Sequence, residues 1–233
     1  MQQAENSIRI FRNIPFQLKQ KKLFATLKIV EGSEFAGEIT ALIEEVAPLI
    51  RPKVVYRKCS VDQKDQRIVI VNGVEFSSSV LSRNLAEADQ AFVFVATSGD
   101  ELDKLAISKE DILKWYWIDS IKEMALHAAV DFLREHIKNE YGIKKLPSMS
   151  PGSGESHIWP IEQQRELFSL LGDVEQMIGV KLTDSFLMIP NKSVSGICFS
   201  TETDFITCQL CQREECPDRQ APFDAMVQQR YNF

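Results

Sequence analysis

The sequence lacks the residue patterns by which many enzymes carry out chemistry on their own side chains. Only three histidines occur in 233 residues, at positions 127, 136 and 157. There is no Ser–His–Asp or Cys–His arrangement, no phosphate-binding glycine loop and no histidine cluster with metal-ligand spacing. The sequence therefore favours binding and positioning of a ligand over nucleophilic catalysis.

Positive charge and long apolar runs are also scarce. The formal net charge is −6 and the pI is near 5.3, which argues against nucleic acid as the main partner. No uncharged apolar run approaches the roughly 18 residues of a membrane helix. Residues 1–16 are polar and show no secretory signal. We therefore expect a globular cytoplasmic protein with neither nucleic acid nor a membrane as its partner.

Residues 1–105 predict an N-terminal α/β section. Apolar residues at helical spacing predict a helix over 36–50, which Pro52 ends, and residues 79–88 predict a short helix. Asn72-Gly73 is a strong turn signal between two strands. The predicted strands are Val54–Arg57, Arg67–Val71, Val74–Phe76 and Gln90–Ala96.

Residues 106–233 predict a second section, which is either separate from the first or continuous with it. An apolar stripe predicts a long helix over 108–140, with Asp119, Glu123 and His127 on one flank. A loop rich in proline, glycine and serine covers 146–157, and two short helices follow it, the first beginning at Pro160. Strands over 181–189, 193–199 and 205–209, with turns at 190–191 and 201–204, predict an antiparallel meander.

The run Gly179-Val-Lys-Leu-Thr-Asp-Ser-Phe-Leu-Met-Ile-Pro190, followed by Ser193-Val-Ser-Gly196, closely resembles the activation domain of cobalamin-dependent methionine synthase. That family has Gly-x-Lys-Leu-Thr-Glu-Ser-Phe-x-Met-x-Pro and then Ser-Val-Ser-Gly. Ser150-Pro151-Gly152 and Trp159 resemble the family's Arg-x-Ala-Pro-Gly-Tyr loop and its following tryptophan. The strong resemblance covers residues 148–200.

The resemblance implies an α+β fold, built on a bent antiparallel sheet with helices around it and the N-terminal α/β section attached. It also implies S-adenosylmethionine as the bound methyl donor in reductive remethylation of cobalamin. We expect a component of the methionine synthase methyltransferase system that positions this donor. The residues expected to contact the cofactors are Glu123, Ser150, Pro151, Gly152, Ser195 and Gly196.

The family's cobalt-ligating Asp-x-His-x-x-Gly motif is absent, so the cobalamin is expected on a partner, a cobalamin-binding methionine synthase subunit. Flavodoxin or ferredoxin is the expected electron donor. The loop also departs from the family pattern, since Ser148, Ser150 and Ser153 replace its arginine, alanine and tyrosine. Loss of the arginine removes a bidentate partner for the ligand carboxylate, a role that Lys144 or Lys145 could fill.

Three of the five cysteines, Cys208, Cys211 and Cys216, fall within nine residues and precede Pro217. This spacing is compatible with an iron–sulfur cluster, with zinc, or with free thiols. A cluster would suit a protein that receives an electron at low potential, so an iron–sulfur activator of another corrinoid methyltransferase is a second hypothesis. A plain interaction protein that retains the fold without the ligand is a third.

Overall fold

A computed structural model describes residues 7–108, 110–202, 205–216 and 219–231, without the side chains of residues 63 and 64. These described residues form nine strands and seven α-helices. The strands are β1 (Ile8–Phe11), β2 (Lys53–Lys64), β3 (Ile68–Val71), β4 (Val74–Ser77), β5 (Gln90–Thr97), β6 (Ser148–Met149), β7 (Lys181–Leu182), β8 (Met188–Ile189) and β9 (Ser193–Phe199). The helices are α1 (Gln20–Leu27), α2 (Glu34–Val46), α3 (Ser79–Asn84), α4 (Ile112–Tyr141), α5 (Gln164–Leu171), α6 (Val174–Ile178) and α7 (Ala225–Arg230).

One antiparallel sheet of seven strands organises the molecule. Its order is β4-β3-β2-β5-β9-β6, and β1 pairs separately with β2. The sheet is curled into half a barrel, and with the helices it gives the expected α+β class. Because β9 pairs with β5 along its whole length, the sheet runs through the expected section boundary near residue 105.

The two faces of the sheet carry separate apolar cores. On one face, α4 packs against β2, β5 and β9 through residues such as Leu133, Phe94 and Cys198. On the other face, α5 and α6 cover Val95, Ile197 and their neighbours. A third cluster joins α1 and α2 to the first half of α4. The strand β5 and residues 195–199 of β9 are thus buried on both faces, as the apolar run of β5 predicts.

Most N-terminal elements lie where the sequence predicts them. The turn at Asn72-Gly73 joins β3 and β4, with φ of 48° and 79° at its two residues. The predicted helix over 36–50 is α2 followed by a 3₁₀ turn at Ala47–Leu49. The short strand β1 was not predicted, because four residues with a mixed burial pattern carry little periodic signal. None of the described helices is long and apolar enough to cross a membrane.

The predicted C-terminal meander is wrong in two places. Residues 181–189 form the hairpin β7–β8, because Phe186 adopts a φ of 62° and its N–H donates to the Thr183 carbonyl oxygen at 3.0 Å. Residues 205–209 are not a strand, since Thr207–Leu210 forms a 3₁₀ turn. The predicted turn at 201–204 lies partly outside the described residues. The strand predicted over 193–199 is confirmed as β9, which pairs with β5 and β6.

Candidate functional site

The expected donor-binding loop begins with a tight turn at residues 150–153. The Ser153 N–H donates to the Ser150 carbonyl oxygen at 3.1 Å, and Gly152 has a φ of +76°. Proline at the second position and a positive-φ glycine at the third are the residues that a type II turn requires. The Gly152 N–H then donates to the Trp159 carbonyl oxygen at 2.9 Å, which closes the loop on a fully buried tryptophan.

This turn crosses β9 in direct contact with Gly196. A Cβ atom at Gly196 would lie 2.4 Å from the Met149 carbonyl oxygen, 2.9 Å from Ser150 Oγ and 3.1 Å from Phe94. Those distances leave room only for a hydrogen atom, so glycine is required by the close approach of two backbone segments. Gly196 and Ser150 therefore lie together, on the face of the sheet that α4 covers.

Ser195 points to the opposite face of the sheet. Its hydroxyl donates to Gln164 Oε1 at 3.1 Å, and Gln164 Nε2 donates to the Phe186 carbonyl oxygen at 3.0 Å. Ser195 and Gln164 are both buried, with 2% and 4% of their surfaces exposed. This chain of hydrogen bonds ties β9 to α5 and to the tip of the β7–β8 hairpin, so the observed contacts of Ser195 are structural.

The edge of β9 beside the turn is only partly covered. The ladder between β6 and β9 joins Ser148 to Cys198 and Met149 to Ile197, and it ends there. Among the described residues, no strand pairs with Ser193–Ser195 on that side. Backbone N–H and C=O groups at an uncovered strand edge are available to a ligand. They lie next to the turn at 150–153.

The side chain of Glu123, on α4, lies near the beginning of β9 in a network of charged side chains. Lys192 Nζ lies 2.8 Å from Glu123 Oε2 and 3.0 Å from Asp119 Oδ2, and His127 Nε2 lies 3.2 Å from Glu123 Oε1. The hydrogen bond from His127, with further help from Lys192, lowers the pKa of Glu123 to about 2. Both oxygens of this carboxylate are thus engaged by side chains of the protein.

The structure brings some of the predicted residues together and separates others. Ser150, Pro151, Gly152 and Gly196 form one contact region, whereas Ser195 faces the other side of the sheet and Glu123 lies near Lys192. Lys145 donates to the Glu202 carbonyl oxygen at 3.1 Å. The cation that contacts Ser148 is instead Arg134 of α4, whose Nη2 lies 3.2 Å from Ser148 Oγ.

The cysteine motif does not assemble a group of metal ligands. Among the described residues, no three His, Cys, Asp or Glu side chains are grouped so that they could hold a metal ion. The guanidinium of Arg219 binds carbonyl oxygens of the segment instead, including those of Cys208 at 3.4 Å and Cys211 at 3.2 Å. Cys208, Cys211 and Cys216 are free and partly buried, and Pro217 lies outside the described residues.

The same segment packs on the predicted ligand-binding loop. A Cβ atom at Gly154 would lie 3.9 Å from Cys211 Cβ and 3.7 Å from Thr207 Cγ2. The Gln212 N–H donates to Glu155 Oε1 at 3.0 Å. Sequence reasoning missed this contact, because the two segments are more than 50 residues apart. It also missed Gln164, Lys192 and Arg134, whose roles depend on sheet order rather than on a local motif.

Two large clefts lie away from these residues. One, of about 780 Å³, lies beside α3 and the C-terminal residues and is lined in part by Arg83, Tyr141 and Tyr231. The other, of about 1000 Å³, lies between α1 and α2 and includes Phe24 and Ala36.

Residues 144–221, about a third of the chain, match the model of a protein family described as vitamin B12 dependent methionine synthase, activation domain. The matched segment contains the turn at 150–153, the α5 and α6 helices and the whole of β9. Among solved structures, the chain is similar to the MetH reactivation domain, crystallised with AdoHcy bound. The two share 17% identity with a TM-score of 0.56, over 86% of this chain and 80% of that one. The resemblance read from residues 148–200 is thereby confirmed: about a third of the chain matches the activation-domain family of vitamin B12 dependent methionine synthase, and the chain is similar in fold to the MetH reactivation domain.

Proposed function

We propose that this chain binds S-adenosylmethionine and presents its methyl group for reductive remethylation of a cobalamin held by a separate methionine synthase subunit. The observation that carries the proposal is the contact of Met149 and Ser150, which lead into the Pro151-Gly152 turn, with Gly196 of β9. Both lie within the segment that matches the activation-domain family. AdoHcy, the bound molecule of the similar crystal structure, is what S-adenosylmethionine becomes when it gives up its methyl group.

The geometry suits a donor that needs positioning rather than chemical activation. The turn is rigid, because proline fixes one φ angle and the Gly152 N–H is tied to Trp159. The uncovered edge of β9 offers backbone donors and acceptors for polar groups of the ligand. The partner's reduced cobalamin supplies the nucleophile, so this chain needs to supply only orientation.

The charge around the site is compatible with a cationic donor. Asp119 and Glu123 lie near the beginning of β9, and both form ion pairs with Lys192. These two carboxylates make the surface more favourable for a cationic ligand, although Lys192 offsets part of that effect. Direct contact between Glu123 and the ammonium group of the donor would require the ligand to displace Lys192 or His127 from the carboxylate.

The decisive experiment is calorimetric titration with S-adenosylmethionine and S-adenosylhomocysteine, with and without a cobalamin-loaded synthase subunit. Saturable binding of both ligands supports the proposal, and ATP is the control for a nucleotide without the amino-acid tail. Absence of binding at millimolar ligand in the presence of the subunit contradicts it. Transfer of a labelled methyl group to cobalamin, with reduced flavodoxin or ferredoxin as electron source, then tests the reaction.

Gly152 is a poor position for a variant that tests this site. A side chain at Gly152 would approach Ile161 to 2.9 Å and would be strained at a φ of +76°. Gly152→Val therefore removes the turn as well as any ligand contact, and loss of binding in that variant has two explanations. Variants that keep the turn intact give a clearer result.

A further inference from the structure

Arg134 carries a positive charge that the described residues leave without an anionic partner. Its Nη2 donates to Ser148 Oγ, a neutral hydroxyl, at 3.2 Å. The Nε atom is buried and has no hydrogen-bond partner. No carboxylate of the described residues forms an ion pair with this side chain, although α4 also carries Asp131 and Glu135.

A guanidinium with a buried, unpaired nitrogen is unfavourable unless a ligand supplies the missing acceptor. A guanidinium has five N–H donors in a planar fork, and a buried donor left unpaired costs free energy. A partly buried cation without a counter-charge adds a desolvation cost. The partner that satisfies such a fork best is a carboxylate or a phosphate, through two parallel hydrogen bonds.

The location of Arg134 connects it to the expected donor site. Ser148, its acceptor, belongs to β6 and pairs with Cys198 of β9. Two residues later Ser150 begins the turn that crosses Gly196. Ser148 also occupies the position at which the sequence comparison found the loop arginine missing. A guanidinium is therefore present at this position, but it comes from α4.

We propose that Arg134 binds the carboxylate of the amino-acid tail of the ligand. This inference rests on the proposed function, since it assigns one end of the S-adenosylmethionine site. The ligand class that it specifies is an α-amino acid carboxylate attached to a nucleoside. Of the expected alternatives, Lys145 donates to the Glu202 carbonyl oxygen, whereas Arg134 donates to Ser148.

The assignment also constrains the ammonium group of the same tail, which is attached to the carbon next to the carboxylate. Glu123 precedes Arg134 by 11 residues of α4, about 16 Å along the helix axis. A single amino-acid head group cannot span that distance. Asp131 is exposed and lies three residues before Arg134, which places it on the neighbouring turn. Asp131 is therefore the acidic side chain expected near the ammonium group.

The test compares two ligands that differ only at the carboxylate. Wild type, Arg134→Gln and Arg134→Lys are titrated with S-adenosylmethionine and with its decarboxylated analogue. We expect wild type to bind the intact ligand about tenfold or more tightly than the analogue. Arg134→Gln should lose that preference and keep the wild-type affinity for the analogue. Arg134→Lys should restore the preference in part, because it keeps the charge without the fork.

The outcomes separate this inference from the proposed function. Equal weakening of both ligands by Arg134→Gln would give the residue a structural role and overturn the inference, as would unchanged binding of the intact ligand. Wild-type protein that binds both ligands equally would also overturn it, and would leave the proposed function standing. Wild type that binds neither ligand in the presence of the cobalamin-loaded subunit overturns both. Arg83→Gln, which removes a guanidinium from α3 outside the site, is the matched control.

Discussion

Replacing Gly196 by alanine tests the close crossing of the 148–153 segment over β9. The added Cβ would lie 2.4 Å from the Met149 carbonyl oxygen, against an ordinary contact of 3.4 Å or more, so one segment must move by about 1 Å. The obstacle is backbone rather than a flexible side chain, and Phe94 blocks movement within the strand. Overpacking of this kind costs about 2–3 kcal/mol. For a chain of this length that is a fall in Tm of about 4–12 °C.

The assay is thermal unfolding together with titration by S-adenosylmethionine at a temperature where the variant is folded. Because the displaced atoms include Ser150 Oγ, we expect weaker ligand binding as well as lower stability. Gly37→Ala is the matched control, since no atom lies within 4 Å of the added Cβ. Removing a glycine from the interior of α2 should raise stability by about 0.5–1 kcal/mol. A Gly196→Ala protein with the wild-type Tm would refute the steric argument.

Three further predictions concern other parts of the structure. The pKa of Glu123 is lowered from 4.5 to about 2, and that of His127 is raised above 6.5, each chiefly by their mutual hydrogen bond. The pair therefore stabilises the fold most between these two ordinary values, losing strength as pH falls toward 2 or rises through the raised pKa of His127. Urea unfolding should show that His127→Gln lowers the free energy of unfolding more at pH 5.5 than at pH 9. The difference should be less than about 1 kcal/mol, because the histidine is half exposed. An equal loss at both pH values would contradict this prediction. Gln164→Leu should lower the free energy of unfolding by about 1–3 kcal/mol, because it leaves the Ser195 hydroxyl and the Phe186 carbonyl unsatisfied. Hydrogen exchange should speed up in the β7–β8 hairpin of that variant and not in Gln176→Leu on the exposed side of α6. Burial raises the pKa of Cys59 to about 11 and of Cys198 to about 12, so a thiol reagent should label three cysteines of the native protein and all five after unfolding. Iron or zinc bound by the three motif cysteines, still a prediction, would protect them from the reagent, and anaerobic metal and sulfide analysis would detect it.

Local signals in the sequence were sufficient for the elements that depend on a few neighbouring residues. The Asn72-Gly73 turn, the long apolar stripe of α4 and the apolar run of β5 each predicted the element that forms. The β7–β8 hairpin was missed, although Thr183-Asp184-Ser185 is rich in turn residues. The apolar residues on both sides suggested one continuous strand, and the left-handed conformation of Phe186 has no signature in sequence.

The arrangement of the site was harder to predict from the sequence, because it depends on which strands are neighbours in the sheet. The family resemblance placed the turn and Gly196 in one functional region, and the structure places them in contact. It could not reveal that Arg134 reaches Ser148, since that contact requires α4 to run along β9. Nor could it show that Ser195 and Gly196 contact different partners on opposite faces of the sheet. Adjacent residues of a strand point to opposite faces, but the partner on each face is known only from the packing.

The opposite orientations of Ser195 and Gly196 have a consequence for how β9 finds its place in the sheet. A slip by one residue would move every side chain of the strand to the other face. It would put a side chain at the crossing under Met149, where only hydrogen fits, and would set a glycine opposite Gln164, leaving that amide oxygen without its donor. Both penalties arise in the slipped pairing and neither in the native one. The order of two adjacent residues thus selects the register of the strand, and with it the position of the turn above its edge.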